Sequence, residues 1–275
     1  QREKPPQLLL TTPESLALLL SYTDAPRMFR RLRTIIVDEL HALAGTKRGD
    51  LLALCMSRLS TLAQNSRRVG LSATVAWPED LAAWLSPQAD ADYVRRIVSE
   101  EAVEPEIRIL ETREEMPWSG HMATHALPEI YVAIHQHTTT LVFVNTRAQA
   151  EVVFQQLWRI NDANLPIALH HGSLAREQRR KVEAAMARGD LRAVVATSSL
   201  DLGVDWAAVD LVVQVGAPKG VSRLVQRIGR ANHRLDCPSR AILVPANRFE
   251  VLECRAALEG VRAHTLDGDP PQPGG

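Results

Sequence analysis

Short runs of β-branched and other apolar residues recur along this chain of 275 residues, and most of them are followed by a helical pattern. Such runs predict strands, and strands that alternate with helices predict parallel sheets covered by helices on both faces. The predicted strands are residues 8–11, 34–38, 68–72, 140–144, 166–170, 192–197 and 209–215. The fold class is therefore α/β.

The alternation lapses between about residues 99 and 122, where the sequence is rich in Glu and contains Pro. This interruption predicts a linker between two domains of the same class. We expect a first domain over 1–110, a linker over 111–122 and a second domain over 123–260. The Pro- and Gly-rich tail, 261–275, predicts a linker toward a further domain.

The composition limits how this chain could bind nucleic acid and in which cellular compartment it is expected. Thirty-two basic residues balance thirty-two acidic ones, so nucleic-acid binding would depend on the local placement of Arg and Lys. The three cysteines are widely spaced and form no CxxC pair, which argues against a disulfide framework or a zinc site and fits a reducing cytoplasm. No apolar run reaches membrane-spanning length, so we expect a soluble cytoplasmic protein without membrane contact.

The strand predicted at 34–38 ends in adjacent carboxylates, Asp38 and Glu39, and His41 follows. Neighbouring side chains of a strand point to opposite sides, so one carboxylate can hold a hydrated Mg²⁺ while the other orients an attacking water. The alternative is that both carboxylates merely stabilise the start of the next helix. These residues alone do not decide between the two interpretations.

A second polar cluster follows later strands. The segment Ala196–Asp205 leaves a strand, and a helix containing Gln226 and Arg227 comes after it. A helical wheel groups Val221, Leu224, Val225 and Ile228 on one face and Arg223, Arg227 and Arg230 on the other. Arginine suits bidentate phosphate contact and can stabilise charge that develops in phosphoryl transfer. The alternative for such a stripe is a solvated helix face.

Seven sequence motifs occur along the chain in the same order as in the superfamily 2 DEXH-box helicases, which the chain therefore resembles. The residues of these motifs are most similar to those of the large-helicase-related (Lhr) group, which includes DNA-ligase-associated bacterial members. The matching stretches are residues 11–16, 37–41, 71–74, 142–147, 170–173, 196–205 and 226–230. The resemblance implies two RecA-like parallel-sheet domains in tandem, the first truncated at its N-terminus. It also implies ATP and Mg²⁺ in the cleft between the domains and a nucleic-acid strand across both.

The resemblance assigns the catalytic roles. Asp38 resembles the carboxylate that holds Mg²⁺ through water, Glu39 the base that orients water, and His41 the link between the nucleotide and the opposite domain. Arg230 is the first candidate for an arginine finger, with Arg227 and Arg234 as alternatives. The residues that the resemblance assigns to ATP binding or coupling are Ser72, Thr74, Gly203, Asp205, Gln226 and Arg234.

The resemblance also assigns contacts to a nucleic-acid backbone. These residues are Thr12, Glu14, Asn145, Arg147, Gly172, Ser173, Thr197 and Ser198. Backbone contacts read charge spacing, so binding should tolerate any sequence and weaken as salt rises. Among the tryptophans, helical spacing predicts that Trp84 and Trp158 lie in the core, whereas Trp77, Trp118 and Trp206 have no assigned place.

The sequence departs from the family pattern twice. No Gly-x-x-x-x-Gly-Lys-Ser/Thr motif occurs, so the loop that cradles the β- and γ-phosphates is missing. His233 stands where many relatives keep an arginine, and Arg234 follows it. We therefore expect a fragment that is inactive by itself.

The resemblance implies the motor core of an ATP-dependent DNA helicase or translocase that acts in DNA repair, with partners such as a ligase or nuclease. One alternative is a catalytically inactive scaffold that binds nucleic acid. Another is an RNA helicase, because backbone contacts do not show whether a 2′-hydroxyl is read. A third, a translocase on double-stranded DNA, would use the same residues.

Overall fold

The chain divides into two compact units, residues 1–98 with 267–275 and residues 99–266. The computed structural model describes residues 5–72, 75–87, 94–98, 103–201, 209–231 and 238–267. Each unit has its own parallel sheet and its own apolar core. Of the helices in these described ranges, none is long and apolar enough to cross a bilayer.

The first unit is built around two parallel strands. Its elements are α1 (Pro13–Ser21), α2 (Ala25–Phe29), β1 (Thr34–Val37), α3 (Leu40–Leu43), α4 (Lys47–Leu62), β2 (Arg67–Gly70) and α5 (Pro78–Leu85). Strand β1 pairs with β2 from Thr34 opposite Arg67 to Val37 opposite Gly70. The predicted start of α1 is confirmed, because the Thr12 side chain accepts a hydrogen bond from the Ser15 amide. The strand predicted at 8–11 is wrong, since these residues are irregular.

The second unit contains a six-stranded, fully parallel sheet in the order β3-β8-β7-β4-β6-β5. Its strands are β3 (Glu106–Ile109), β4 (Thr140–Phe143), β5 (Ile167–His170), β6 (Ala193–Ala196), β7 (Leu211–Val215) and β8 (Arg240–Val244). Its helices are α6 (Leu127–Gln136), α7 (Arg147–Arg159), α8 (Arg176–Ala187), α9 (Val221–Ile228) and α10 (Arg248–Arg262), with short 3-10 turns at Thr124–Ala126 and Ser198–Leu200. Separate apolar clusters cover the two faces of the sheet. This is the α/β class that the sequence predicted.

Strand β3 lies in the second unit, although the sequence analysis placed residues up to 110 in the first domain. Glu106 pairs with Arg240, and Ile109 pairs with Leu243. Ile107 and Ile109 alternate with charged neighbours, as expected for an edge strand that is buried on one face. The Glu- and Pro-containing sequence around this strand concealed its short period-two pattern.

Helix α7 shows how far helical spacing predicts burial. Ala150, Val153 and Leu157 are fully buried, as their spacing predicts. Trp158 is 59% exposed, so the prediction that it lies in the core is wrong. Trp158 lies at the margin of the apolar stripe in the last turn, where it contacts the Phe154 ring instead. Trp84 does pack against the core of the first unit.

Replacing Leu157 by Ala should lower the free energy of unfolding by about 2–5 kcal/mol, because it leaves a cavity in a closed core. Trp158→Ala, next to it on the same helix, should cost less than about 1 kcal/mol, because the ring is mostly in water. Urea denaturation followed by far-UV circular dichroism measures both changes. An equal loss of unfolding free energy in the two variants would contradict the finding that Leu157 faces the core and Trp158 faces the solvent.

Candidate functional site: two polar sheet edges

The first polar edge lies at the carboxyl ends of β1 and β2. The Leu71 amide donates a hydrogen bond to the Val37 carbonyl, and the Leu40 amide donates to the Leu71 carbonyl, both at 2.9 Å. Gly70 packs so closely that an added Cβ would lie 2.6 Å from Leu40 Cδ2. These contacts hold the residues after β1 beside the residues after β2.

Four residues predicted from the sequence meet at this edge. His41 Nδ1 lies 3.1 Å from Ser72 Oγ, and His41 Nε2 lies 3.5 Å from Glu39 Oε2. The Glu39 amide donates to Asp38 Oδ1 at 2.9 Å. The His41 side chain is 11% exposed, whereas that of Glu39 is 38% exposed. His41 therefore bridges a carboxylate open to solvent and a hydroxyl on the neighbouring segment.

The backbone at Glu39 explains the arrangement of the two carboxylates. Strand β1 ends at Val37, and Glu39 adopts a left-handed conformation with φ 49° and ψ 45°. The prediction that Asp38 and Glu39 are neighbouring strand residues is therefore wrong, because both lie in the turn that follows β1. A left-handed non-glycine residue costs roughly 1 kcal/mol or more and occurs often at functional sites.

The donor set at this edge fits a water-coordinated magnesium ion and does not fit a closed metal cage. Among the described residues, no group of three or more His, Cys, Asp or Glu side chains could hold a metal. Mg²⁺ keeps several waters and commonly binds one or two carboxylates together with substrate phosphates, so the exposed Asp38 suits it. When bound, Mg-ATP supplies the phosphoryl group and the charge neutralisation that its transfer needs.

Two predicted nucleic-acid contacts lie at the start of α1. Thr12 is the exposed N-cap, and Glu14 in the first turn forms an ion pair with Arg48, with 2.6 Å between Oε1 and Nε. The hydrogen bond from Arg48 is the main reason that the Glu14 pKa falls to about 2. Because Glu14 is an anion, the groups here that suit a phosphate are Thr12, the helix start and Arg48.

The second polar edge lies at the carboxyl ends of three neighbouring strands, β4, β6 and β5. It brings together the predicted contacts Asn145, Arg147, Gly172, Ser173, Thr197 and Ser198. The Arg147 guanidinium donates to the Ser173 hydroxyl and so links the start of α7 to the loop after β5. Asn145 Nδ2 donates to the Ala217 carbonyl at 2.8 Å. Gly172 is exposed, and a Cβ there would meet open space.

Arg227 is buried inside the second unit. It is 3% exposed, its Nε donates to Asp201 Oδ1 at 2.8 Å, and its Nη1 donates to Gln214 Oε1 at 2.5 Å. Its Cζ lies 4.7 Å from the centre of the Phe143 ring. The prediction of one open stripe of Arg223, Arg227 and Arg230 is therefore wrong. A helical wheel gives the phase of a side chain, but it does not show a carboxylate on another segment that draws the side chain inward.

Asp201 joins all three arginines. Its carboxylate lies 3.6 Å from Arg223 Nε and also pairs with Arg227, while its carbonyl accepts a hydrogen bond from Arg230 Nη2 at 2.7 Å. Gln226, on the same helix, is half-buried. Neither Asp201 nor Gln214 was predicted from the sequence as a site residue. An available signal was the polar Gln214 in the otherwise apolar strand β7.

His170 ties the loops of this edge to α8. It is 1% exposed, with Nδ1 2.9 Å from Ser199 Oγ and Nε2 3.2 Å from Glu183 Oε1. Burial lowers the His170 pKa, and Glu183 partly opposes this shift. Of the predicted site residues, Thr74, Gly203, Asp205 and Arg234 lie outside the described residues, as do Trp206 and His233.

Both units match models of known helicase domains. Residues 1–81 match the DEAD/DEAH box helicase model, and residues 122–234 match the helicase conserved C-terminal domain. The chain is therefore similar to DEAD/DEAH box helicases in both of its units. The first sheet edge lies within the segment that matches the first model, and the second edge lies within the segment that matches the second.

Individual relatives narrow the family. The chain is 40% identical to the "ATP-dependent helicase Lhr-Core protein 2" of Thermococcus barophilus, over 96% of this chain and 31% of that protein. It also matches the structure of the Mycobacterium smegmatis helicase Lhr bound to ssDNA and AMP-PNP, with a TM-score of 0.82 and 37% identity over 96% of this chain and 35% of that one. The chain thus spans about a third of these relatives. A helicase MrfA structure bound to DNA, 22% identical with a TM-score of 0.76 over 93% of this chain and 35% of that one, shares the fold.

Replacing Asp201 by Ala should lower the free energy of unfolding by about 3–5 kcal/mol, because it leaves the buried Arg227 cation without its carboxylate. Arg223→Ala, which removes the exposed partner of the same carboxylate, should cost less than about 1 kcal/mol. Urea denaturation measures both changes. Similar losses in the two variants would show that the buried pair does not anchor α9.

Acid should destabilise the second unit. Burial lowers the pKa of His125 and of His170 from the ordinary value of 6.5, so below that value the unfolded chain binds more protons than the folded one. Stability should therefore be full above about pH 6.5 and decline as pH falls. Urea midpoints between about pH 8 and pH 5 measure this decline, and His170→Gln should reduce it. If the urea midpoints of wild type and His170→Gln fell equally with pH, His170 would not contribute to the loss of stability in acid.

Proposed function

We propose that this chain is part of the motor core of an Lhr-like helicase or translocase, and that the intact protein couples ATP hydrolysis to movement along a DNA strand. The observation that carries the proposal is the contact of His41 with both Glu39 and Ser72. Glu39 stands where the resemblance implies a water-orienting base, and Ser72 belongs to the motif to which the resemblance assigns the coupling of hydrolysis to movement. His41 thus joins side chains of the two motifs, in addition to the backbone hydrogen bonds that Leu71 forms with Val37 and Leu40.

The second unit has a matching connection. Arg230 is held by the carbonyl of Asp201, and Asp201 lies in the segment after β6 that also carries Thr197 and Ser198. An arginine that contacts the nucleotide and hydroxyls that contact a phosphate backbone would thus belong to one hydrogen-bonded segment. A movement of the nucleotide would therefore shift the residues that contact the nucleic acid, and a movement of the nucleic acid would shift the arginine at the nucleotide. A motor needs this coupling between its two ligands.

We infer a DNA strand as the track because the similar Mycobacterium smegmatis helicase Lhr was solved with ssDNA and AMP-PNP. ATP with Mg²⁺ is the proposed cofactor, with Asp38 holding the metal through water. We further propose a role in DNA repair with a ligase or nuclease as partner. A cytoplasmic location is supported by the unpaired, buried thiols Cys55 and Cys254.

We propose that the 275-residue chain binds DNA but does not turn over ATP, because its sequence has no phosphate-cradling Gly-Lys-Ser/Thr loop. The measurement is phosphate release from ATP with and without single-stranded DNA. We expect no DNA-stimulated release. Robust DNA-stimulated turnover by this chain would overturn the proposal.

Binding to single-stranded DNA should fall linearly on a log–log plot against salt, and Arg147→Ala should lower both the affinity and the slope. Loss of one phosphate contact changes the slope by about 0.7 on a single strand. Fluorescence anisotropy with a labelled oligonucleotide measures both. Arg159→Ala, at the opposite end of α7, is the matched control and should change neither. An unchanged slope for Arg147→Ala would exclude a phosphate contact.

In a longer protein that contains this chain and a phosphate-binding loop, Glu39→Gln should reduce ATP turnover at least about a hundredfold by removing the base. Asp50→Asn, an exposed carboxylate on α4, is the control and should retain turnover. DNA affinity should stay unchanged in both. Absence of turnover in the unsubstituted longer protein, with DNA binding intact, would favour the scaffold alternative.

A further inference from the structure

Two large aromatic rings lie together on the surface of the second unit. Trp118 is 65% exposed and Phe249 is 64% exposed, with 6.4 Å between the ring centres and 58° between the ring planes. The Arg248 guanidinium lies over the Trp118 ring, with Cζ 4.4 Å from its centre. We call these three residues the aromatic platform. None of them has a role in the motifs described above.

The segment that carries Trp118 is fixed to the start of α10 by hydrogen bonds. The Arg248 amide donates to the Pro117 carbonyl at 3.0 Å, and Arg248 Nε donates to the Met116 carbonyl at 3.2 Å. Asn247 Nδ2 donates to the Gly120 carbonyl at 2.8 Å. The tryptophan is thus presented to solvent from an anchored backbone, which lowers the entropy that a ligand would have to remove.

The aromatic platform adjoins the polar edge that carries Asn145 and Arg147. Asn247 follows β8 just as Asn145 follows β4, and these strands lie two positions apart in one parallel sheet, roughly 10 Å. A chain of hydrogen bonds links Asn145 to helix α10: Asn145 Nδ2 donates to the Ala217 carbonyl, and the Ala217 amide donates to Glu250 Oε2 at 3.0 Å. The platform is therefore close enough to the polar edge for one extended strand to contact both.

We propose that the aromatic platform stacks a base of the single-stranded nucleic acid whose phosphates lie along the neighbouring edge. This inference rests on the proposed function. Trp118 offers an exposed aromatic surface that any base can stack on, and Arg248 places a positive charge beside it that complements the phosphate backbone. The aromatic platform therefore binds a nucleobase of any identity, and it extends the nucleic-acid-binding surface from the residues after β4 to those after β8.

Trp118→Ala should weaken binding of the chain to a single-stranded oligonucleotide roughly five- to a hundredfold, the range seen when a stacking aromatic residue is removed. The dependence on salt should keep its slope, because no phosphate contact is lost. Trp118→Phe should retain most of the affinity. Trp158→Ala is the matched control, because Trp158 is also exposed and also contacts a phenylalanine, but lies in the last turn of α7.

Oligonucleotides with one abasic position locate the stacked base. If the platform stacks a base, an abasic site at one position should weaken wild-type binding and remove the difference between wild type and Trp118→Ala. Equal binding by wild type and Trp118→Ala would overturn the platform, leave the proposed function intact and favour a protein partner for this surface. A loss that persists at every abasic position would also overturn it, by showing a structural role. Failure of the wild-type chain to bind any oligonucleotide would refute the proposed function itself.

Discussion

The buried pair of Asp201 and Arg227 is the interaction on which the second polar edge depends. It lies where four structural features meet: the loop after β6, helix α9, the central strand β7 through Gln214, and the Phe143 ring. Removing either charge would leave the other without compensation in the interior, which is far more costly than losing a surface pair. The pair therefore fixes the position from which the Asp201 carbonyl holds Arg230.

In the first unit, weaker and more exposed interactions connect the two segments that follow the strands. Its carboxylates lie in a turn that is strained at Glu39, and His41 connects that turn to Ser72 without a buried ion pair. A half-exposed cluster of this kind can rearrange more easily than a buried one. Under the proposed function, the first edge would respond to the nucleotide, whereas the second edge holds Arg230 and the segment 197–201 in a fixed relative position.

The sequence predicted what depends on local pattern. The resemblance assigned Asn145, Ser173 and Thr197 to nucleic-acid contact, and the structure brings them to one edge because each residue follows the carboxyl end of a parallel strand. Properties that depend on distant partners were not predicted. Arg227 has the helical phase of a surface residue, but its side chain pairs with Asp201, 26 residues earlier in the chain. Strand β3 becomes recognisable only when β8 is available as its neighbour.

Hydrogen exchange with and without single-stranded DNA tests the central claim most directly, because it reports every backbone amide of the chain without a substitution. We predict slower exchange in the loops around residues 145–147, 172–173 and 197–201, extending to Arg230 through Asp201. The amino ends of the same strands should not change. Protection confined to those amino ends, or protection of the loops without any change at 226–231, would contradict a track coupled to the arginine.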